Sequence, residues 1–187
     1  MQMNDSQRIE APRQKVWEAL NDPDVLKASI PGCEELIKHS DTEMEAKVKL
    51  KVGPVKATFG GKVTLNDLDP PNGYTIEGEG SGGVAGFARG GAKVRLEEDG
   101  PDATILHYDV DAKVGGKLAQ LGARLIDSTA KRLAGEFFTA FAEQVAPTTP
   151  EETAAEDGAE APEQKKGWLG GLFGGKKADP TAEEPAA

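Results

Sequence analysis

Between residues 44 and 114 the chain reads as strands. Met44, Ala46, Val48, Leu50 and Val52 alternate with Glu45, Lys47, Lys49 and Lys51. A period of two predicts a strand with one buried face and one wet face, here lined with lysine. Gly53-Pro54 turns the chain, and Val55, Ala57, Phe59, Gly61, Val63 and Leu65 then alternate with Lys56, Thr58, Lys62 and Thr64. Asp69-Pro70-Pro71-Asn72-Gly73 is a second turn. Beyond it Tyr74, Ile76, Gly78 and Gly80 alternate with Thr75, Glu77 and Glu79. Two more strands are predicted over 87–97 and 103–114, parted by Glu98-Asp99-Gly100-Pro101. In the last, Thr104, Leu106, Tyr108, Val110 and Ala112 face one way, and Ile105, His107, Asp109 and Asp111 the other.

Either side of this block the rhythm changes. Residues 7–11 can extend as a first strand. Pro12 suits the first turn of a helix, where its missing donor would be unpaired anyway, and Val16, Trp17 and Leu20 fall at helical spacing through 13–20. Asp22 as N-cap and Pro23 at N1 open a second short helix carrying Val25, Leu26 and Ile30, which Pro31-Gly32 ends. After the last strand, Gly115-Gly116 breaks the sheet and one long helix is predicted over 117–145. Its apolar stripe is Leu118, Leu121, Leu125, Leu133, Phe137 and Phe141. Gly122 and Gly135 each cost about 1 kcal/mol against Ala inside a helix, and Gly135 is the expected bend. A single sheet must cover its apolar face. One long helix laid across a curved antiparallel sheet does so, with the short helix pair closing the end. The expected fold is α+β, of the helix-grip kind.

A strongly curved sheet around one helix encloses volume that side chains fill or leave open. The inward positions are small at Ala57, Gly61, Gly78, Gly80, Ala92 and Ala112, and the rest are apolar. Apolar walls with missing bulk predict a dry cavity for an apolar ligand. The rival reading is that the glycines only permit bulges and tight coiling of the sheet. The cavity lining is expected to include Trp17, Phe59, Gly61, Val63, Ile76, Gly78, Gly80 and Phe87, together with Val94, Leu106, Tyr108, Val110, Leu121 and Leu125. Tyr108 points inward by parity, and its hydroxyl needs a partner if buried. Trp17 fits the mouth and the packed core equally well. Arg89, in the glycine-rich run 78–91, either borders the entrance or is solvated.

Composition divides the 187 residues. Residues 1–145 make one ordinary domain. Residues 146–164 read as an acidic, Pro/Ala/Thr-rich disordered linker with a reach of about 25 Å as flexible coil, and 178–187 as a disordered tail. Between them 165–177 sets Trp168, Leu169, Leu172 and Phe173 between the pairs Lys165-Lys166 and Lys176-Lys177. Aromatic and apolar groups bracketed by lysines suit a membrane interface. Partial burial plus about 1 kcal/mol per lysine at an anionic leaflet gives roughly 5–8 kcal/mol, a reversible grip. A transmembrane helix needs about 20 apolar residues in a row, which this segment lacks. Docking on a partner protein is the alternative use of the same residues.

The net charge is −10 with no basic stripe, which argues against nucleic acid. A lone cysteine, Cys33, fits a reducing compartment. Residues 1–6 carry no charged-then-apolar signal segment. The expected location is cytoplasmic, peripherally associated with the inner face of the cytoplasmic membrane.

Candidate chemistry is sparse. His39 sits in a polar surface turn, and His107 faces outward by parity. They share no ligand spacing, so no metal site is expected. Cys33 has no evident base partner and reads as a buried structural thiol. The glycine runs match neither a phosphate loop nor a dinucleotide turn. Glu34-Glu35, Glu97-Glu98 and Asp109/Asp111 read as solvated faces. No catalytic constellation stands out, and the chain is not expected to be an enzyme.

The order of elements over residues 3–145 resembles the START/Bet v 1-like (SRPBCC) superfamily. Within it, several stretches resemble the CoxG family, the G-subunit family of carbon monoxide dehydrogenase. They are residues 19–26, Ile30-Pro31-Gly32-Cys33-Glu34, Val52-Gly53-Pro54-Val55-Lys56-Ala57, residues 74–80 and Gly86-Phe87-Ala88-Arg89-Gly90. The resemblance implies a non-catalytic accessory to a molybdenum hydroxylase, linked to its membrane recruitment. It names no ligand.

Joined to the cavity and the tail, it leads to an expectation about cargo. The protein would take a lipophilic respiratory quinone (menaquinone or ubiquinone) from the membrane to a molybdenum-containing carbon monoxide dehydrogenase or related hydroxylase. No covalently bound cofactor is expected. Two alternatives stay open: a recruitment or assembly factor without ligand transport, and a cyclase- or hydrolase-type enzyme on the same fold.

Overall fold

The computed structural model describes residues 1–146. The linker, the 165–177 segment and the tail expected from composition lie outside the described residues. The elements are β1 (Gln2–Ile9), α1 (Arg13–Leu20), α2 (Pro23–Ser29), β2 (Cys33–Lys38), β3 (Glu43–Val52), β4 (Val55–Asp69), β5 (Gly73–Ser81), β6 (Phe87–Glu98), β7 (Thr104–Gly115) and α3 (Ala123–Val145). All seven strands form one antiparallel sheet in the order β1-β7-β6-β5-β4-β3-β2. The helix-grip reading holds: a curved sheet, a long C-terminal helix and a short helix pair.

The local chemistry is as the residues demand. Asp22 caps α2, its carboxylate accepting from the amides of Asp24 at 2.8 Å and Val25 at 3.3 Å, with Pro23 at N1. Such a cap is worth about 1 kcal/mol. Alternation in β7 buries Thr104, Leu106 and Tyr108 on the inner face, against Leu96 and Val94 of β6. The packed core sits under the C-terminal half of α3, where Phe141 and Val145 meet Ile9, Val16, Trp17, Tyr74 and Leu106.

Three expectations are corrected. The first strand begins at Gln2, not residue 7, because its whole length pairs with β7, from Gln2↔Asp111 to Ile9↔Thr104. A strand absent from the sequence reading, β2, closes the other edge. A register shift between Cys33 and Glu35 breaks its alternation. The last helix does not run from 117. A 3-10 turn spans Ala119–Leu121, and Gly122 at φ +88° cannot be helical, so α3 starts at Ala123. The chain therefore breaks at Gly122, and α3 is continuous through Gly135, where a bend was expected. Among the described residues no helix is long and apolar enough to cross a membrane.

Candidate functional site

Away from the packed core, α3 stands off the sheet and leaves the inner face hollow. One hollow of about 420 Å³ lies between the end of α2, strands β3 and β4, and α3. Ile30 and Pro31, Ala46, Val48 and Leu50, Phe59, Gly61 and Val63, and Leu133, Ala134 and Phe137 form its wall. No side chain in that set carries a charge or a hydrogen-bonding group. A second hollow of about 280 Å³ runs over the inner face of β5, β6 and β7, past Ile76, Gly78, Gly80, Ala92, Val110 and Ala112. Glu79 and Arg89, whose parity is outward, also border it. The two hollows meet at Val63. Missing bulk is what opens them. Ala46 pairs with Gly61, Gly61 with Gly80, and Gly78 with Gly90, so small residues stand side by side across four strands. A methyl group added at Gly80 would meet only Gly60 O at 3.6 Å and Gly61 Cα at 3.8 Å, ordinary contacts.

The fourteen expected lining residues divide. Phe59, Gly61, Val63, Ile76, Gly78, Gly80 and Val110 border the hollows. Trp17, Val94, Leu106 and Tyr108 do not, because they are packed core. The Trp17 ring meets Tyr74 edge-on at 5.5 Å, and Tyr108 stacks on Phe138 at 5.3 Å. Burial, helped by Asp5, pushes the Tyr108 hydroxyl pKa up, so it stays protonated. Phe87 shares the outward parity of Arg89 and lies over Gly115, 45% exposed. Leu121 belongs to the 3-10 turn, and Leu125 presses on Gly53.

Arg89 points outward in a cross-strand row with Lys62, Glu79 and Lys113. The helix residues Leu133, Ala134 and Phe137 were missed as lining, although the apolar stripe already held two of them. Ile30 was read as part of the apolar side of α2 and Pro31 as its end, and neither as lining.

A wider concavity of about 1190 Å³ is on the opposite face of the sheet. Lys62, Glu77, Glu79, Arg89, Lys93 and Asp109 are among its walls, and Asn4 and Gln2 already bond Asp109 and Asp111. Charges of both signs on an open surface favour water over any one ligand, so the apolar interior is the candidate site.

Elsewhere, His39 faces Glu45 at 3.3 Å and His107 faces Glu97 at 3.1 Å, both near the surface. Cys33 is half-buried rather than buried. Its thiol donates to the Glu35 carbonyl at 3.4 Å, and burial raises its pKa, which holds it as an unreactive thiol. No group of His, Cys, Asp and Glu suited to a metal occurs among the described residues.

A family model described as the G-subunit of carbon monoxide dehydrogenase (CoxG) matches residues 6–146. The comparison with curated proteins returned no match. Among solved structures, a conserved protein from Geobacillus kaustophilus aligns with a TM-score of 0.74 and 29% identity, over 78% of this chain and 95% of its own. A START superfamily protein from Mycobacterium smegmatis aligns at 0.60 and 14% identity, over 79% and 99%. The Zhui aromatase/cyclase from Streptomyces sp. R1128 aligns at 0.55 and 15% identity, over 78% and 93%. The last two show a shared fold and no more.

Proposed function

The chain belongs to the CoxG family, named for the G-subunit of carbon monoxide dehydrogenase, and from that membership we propose that it is a non-catalytic, ligand-carrying accessory of the dehydrogenase. The partner is a molybdenum-containing carbon monoxide dehydrogenase or related hydroxylase. The cargo is an isoprenoid quinone, menaquinone or ubiquinone, held in the interior and moved between membrane and enzyme. Residues 165–177 tether the protein reversibly to the inner face of the cytoplasmic membrane.

The observation that carries this reading is the uncharged wall of the first hollow, continued past Val63 by the bulk-poor run Ile76, Gly78 and Gly80. Such a wall suits a hydrocarbon chain and offers nothing to a polar substrate. Respiratory quinones dissolve in the bilayer, and a soluble dehydrogenase must pass its electrons to them. Both histidines face carboxylates near the surface and the thiol is held protonated, which supports a carrier over a cyclase.

Short-chain quinone should raise the melting temperature of the wild-type protein and leave that of Gly80→Leu, whose side chain grows into the second hollow where it continues from the first, unmoved. Equal shifts in both would count against the interior as the site. If Gly80→Leu still supports dehydrogenase turnover with membrane quinone, and deletion of 165–177 alone abolishes it, the protein recruits the enzyme without carrying cargo.

A further inference from the structure

The two ends of the sheet carry opposite charge. One end is built by the β3–β4 turn, the β5–β6 loop and the β7–α3 connection, which touch one another. Phe59 fills the space a side chain on Gly82 would need, the Leu118 amide donates to the Ala85 carbonyl at 3.0 Å, and Leu125 leans on Gly53. Residues 48–62 there hold Lys49, Lys51, Lys56 and Lys62, and residues 80–91 hold Arg89. Residues 112–126 add Lys113, Lys117 and Arg124, and the three segments contain no Asp or Glu. The opposite end, residues 39–45, 66–72 and 97–103, holds nine Asp and Glu and no Lys or Arg.

Nothing in the fold requires this separation, and at one place it costs stability. Lys51 stands directly opposite Lys56 across the hairpin, and facing like charges destabilise a sheet. Lys47, further down β3, has Glu35 at 3.3 Å, whereas Lys49, Lys51 and Lys56 have no ion-pair partner among the described residues. Glu79 stands between Lys62 and Arg89 in one cross-strand row and offsets part of their charge. Two apolar side chains project at the same end: Val84 is 85% exposed and Phe87 45%.

We propose that this end is a membrane-contact face of the folded domain itself, docking on an anionic lipid bilayer. Val84 and Phe87 enter the headgroup boundary while the surrounding lysines and arginines meet lipid phosphates. A lipid surface fits better than an acidic protein. Isolated apolar tips in a broad cationic field need no fixed partner geometry, whereas a protein site presents a contiguous apolar centre. Leu50 and Phe59 belong to the same hairpin and also line the first hollow, so docking here brings the hollow to the lipid. The face acts independently of segment 165–177, and it does not depend on the cargo being a quinone.

The test uses the full chain. Val84→Cys in a Cys33→Ser background carries an environment-sensitive fluorophore, and Leu68→Cys at the acidic end carries the same label as control. The probe is phosphatidylcholine vesicles with and without phosphatidylglycerol. The label at 84 should shift to the blue only with phosphatidylglycerol, the label at 68 should not respond, and about 1 M salt should reverse the shift. Replacing Lys49, Lys51 and Lys56 by Gln should raise the lipid needed for half the shift at least about tenfold, with a thermal melt no lower than that of wild type.

If the protein sediments with vesicles while the label at 84 stays silent, lipid is met elsewhere; this proposal falls and the function above stands. A lysine variant whose label at 84 shifts at the same lipid concentration as wild type also overturns it. So does one that keeps vesicle binding but loses the dehydrogenase, which would make an acidic protein the occupant.

Discussion

Single glycines in this domain do different jobs, and substitution separates them. Gly32 has φ +73°, and a Cβ there would lie 2.1 Å from the Lys49 carbonyl oxygen. Gly32→Ala should therefore cost about 2–3 kcal/mol by denaturant unfolding. Gly135 is exposed in the middle of α3 with open space where its Cβ would be. Gly135→Ala should stabilise by about 0.5–1 kcal/mol and raise the melting temperature by a few degrees. Tyr74 responds to pH instead. It is 6% exposed, and burial raises its hydroxyl pKa above the ordinary 10. The folded state then holds its proton where the unfolded state has lost it. Stability is flat with respect to this group below pH 10 and falls as pH rises beyond it. Alkaline titration of the melting temperature should show that fall, and Tyr74→Phe should reduce it.

Among the elements, the helix α3 has two working halves. Its C-terminal half closes the core through Phe141, 0% exposed and stacked on Phe137 at 5.6 Å. Phe141→Ala should cost about 3–5 kcal/mol. Its middle, Leu133 to Phe137, instead roofs the hollow. Which inward residues would be packed and which left open was not readable from strand alternation. Alternation gives the face of Leu106 and of Gly80 equally. Only the standoff of α3 decides that Leu106 is covered and Gly80 is not, and that depends on the aromatic cluster at one end of the helix. Phe87 shows the opposite failure: its parity with Arg89 pointed outward, and its apolarity argued misleadingly for the interior. The strands from β3 to β7 were legible because polar and charged residues mark most of the second positions. In β2 the shift after Cys33 erased that mark, and Gly122 was hidden inside a run of good helix formers.

For the whole molecule, the uncharged wall of the first hollow makes a specific demand of the proposed cargo. The walls of the first hollow offer no side-chain donor to a quinone carbonyl, so binding should follow the hydrocarbon tail. Each added isoprene unit buries several carbons at about 0.8 kcal/mol apiece when fully covered. In an open hollow only about a third of that is realised, so affinity should climb about tenfold per unit and flatten when the hollow is full. Menaquinone and ubiquinone with equal tails should then bind within a few-fold of each other in competition assays. The central claim, an interior that carries a lipophilic molecule, is tested most directly by mass spectrometry of small molecules extracted from full-length protein purified out of quinone-producing cells. Wild type should bring quinone with it, and Gly80→Leu, equally folded, should bring little. Quinone absent from both, or present equally in both, would contradict the account.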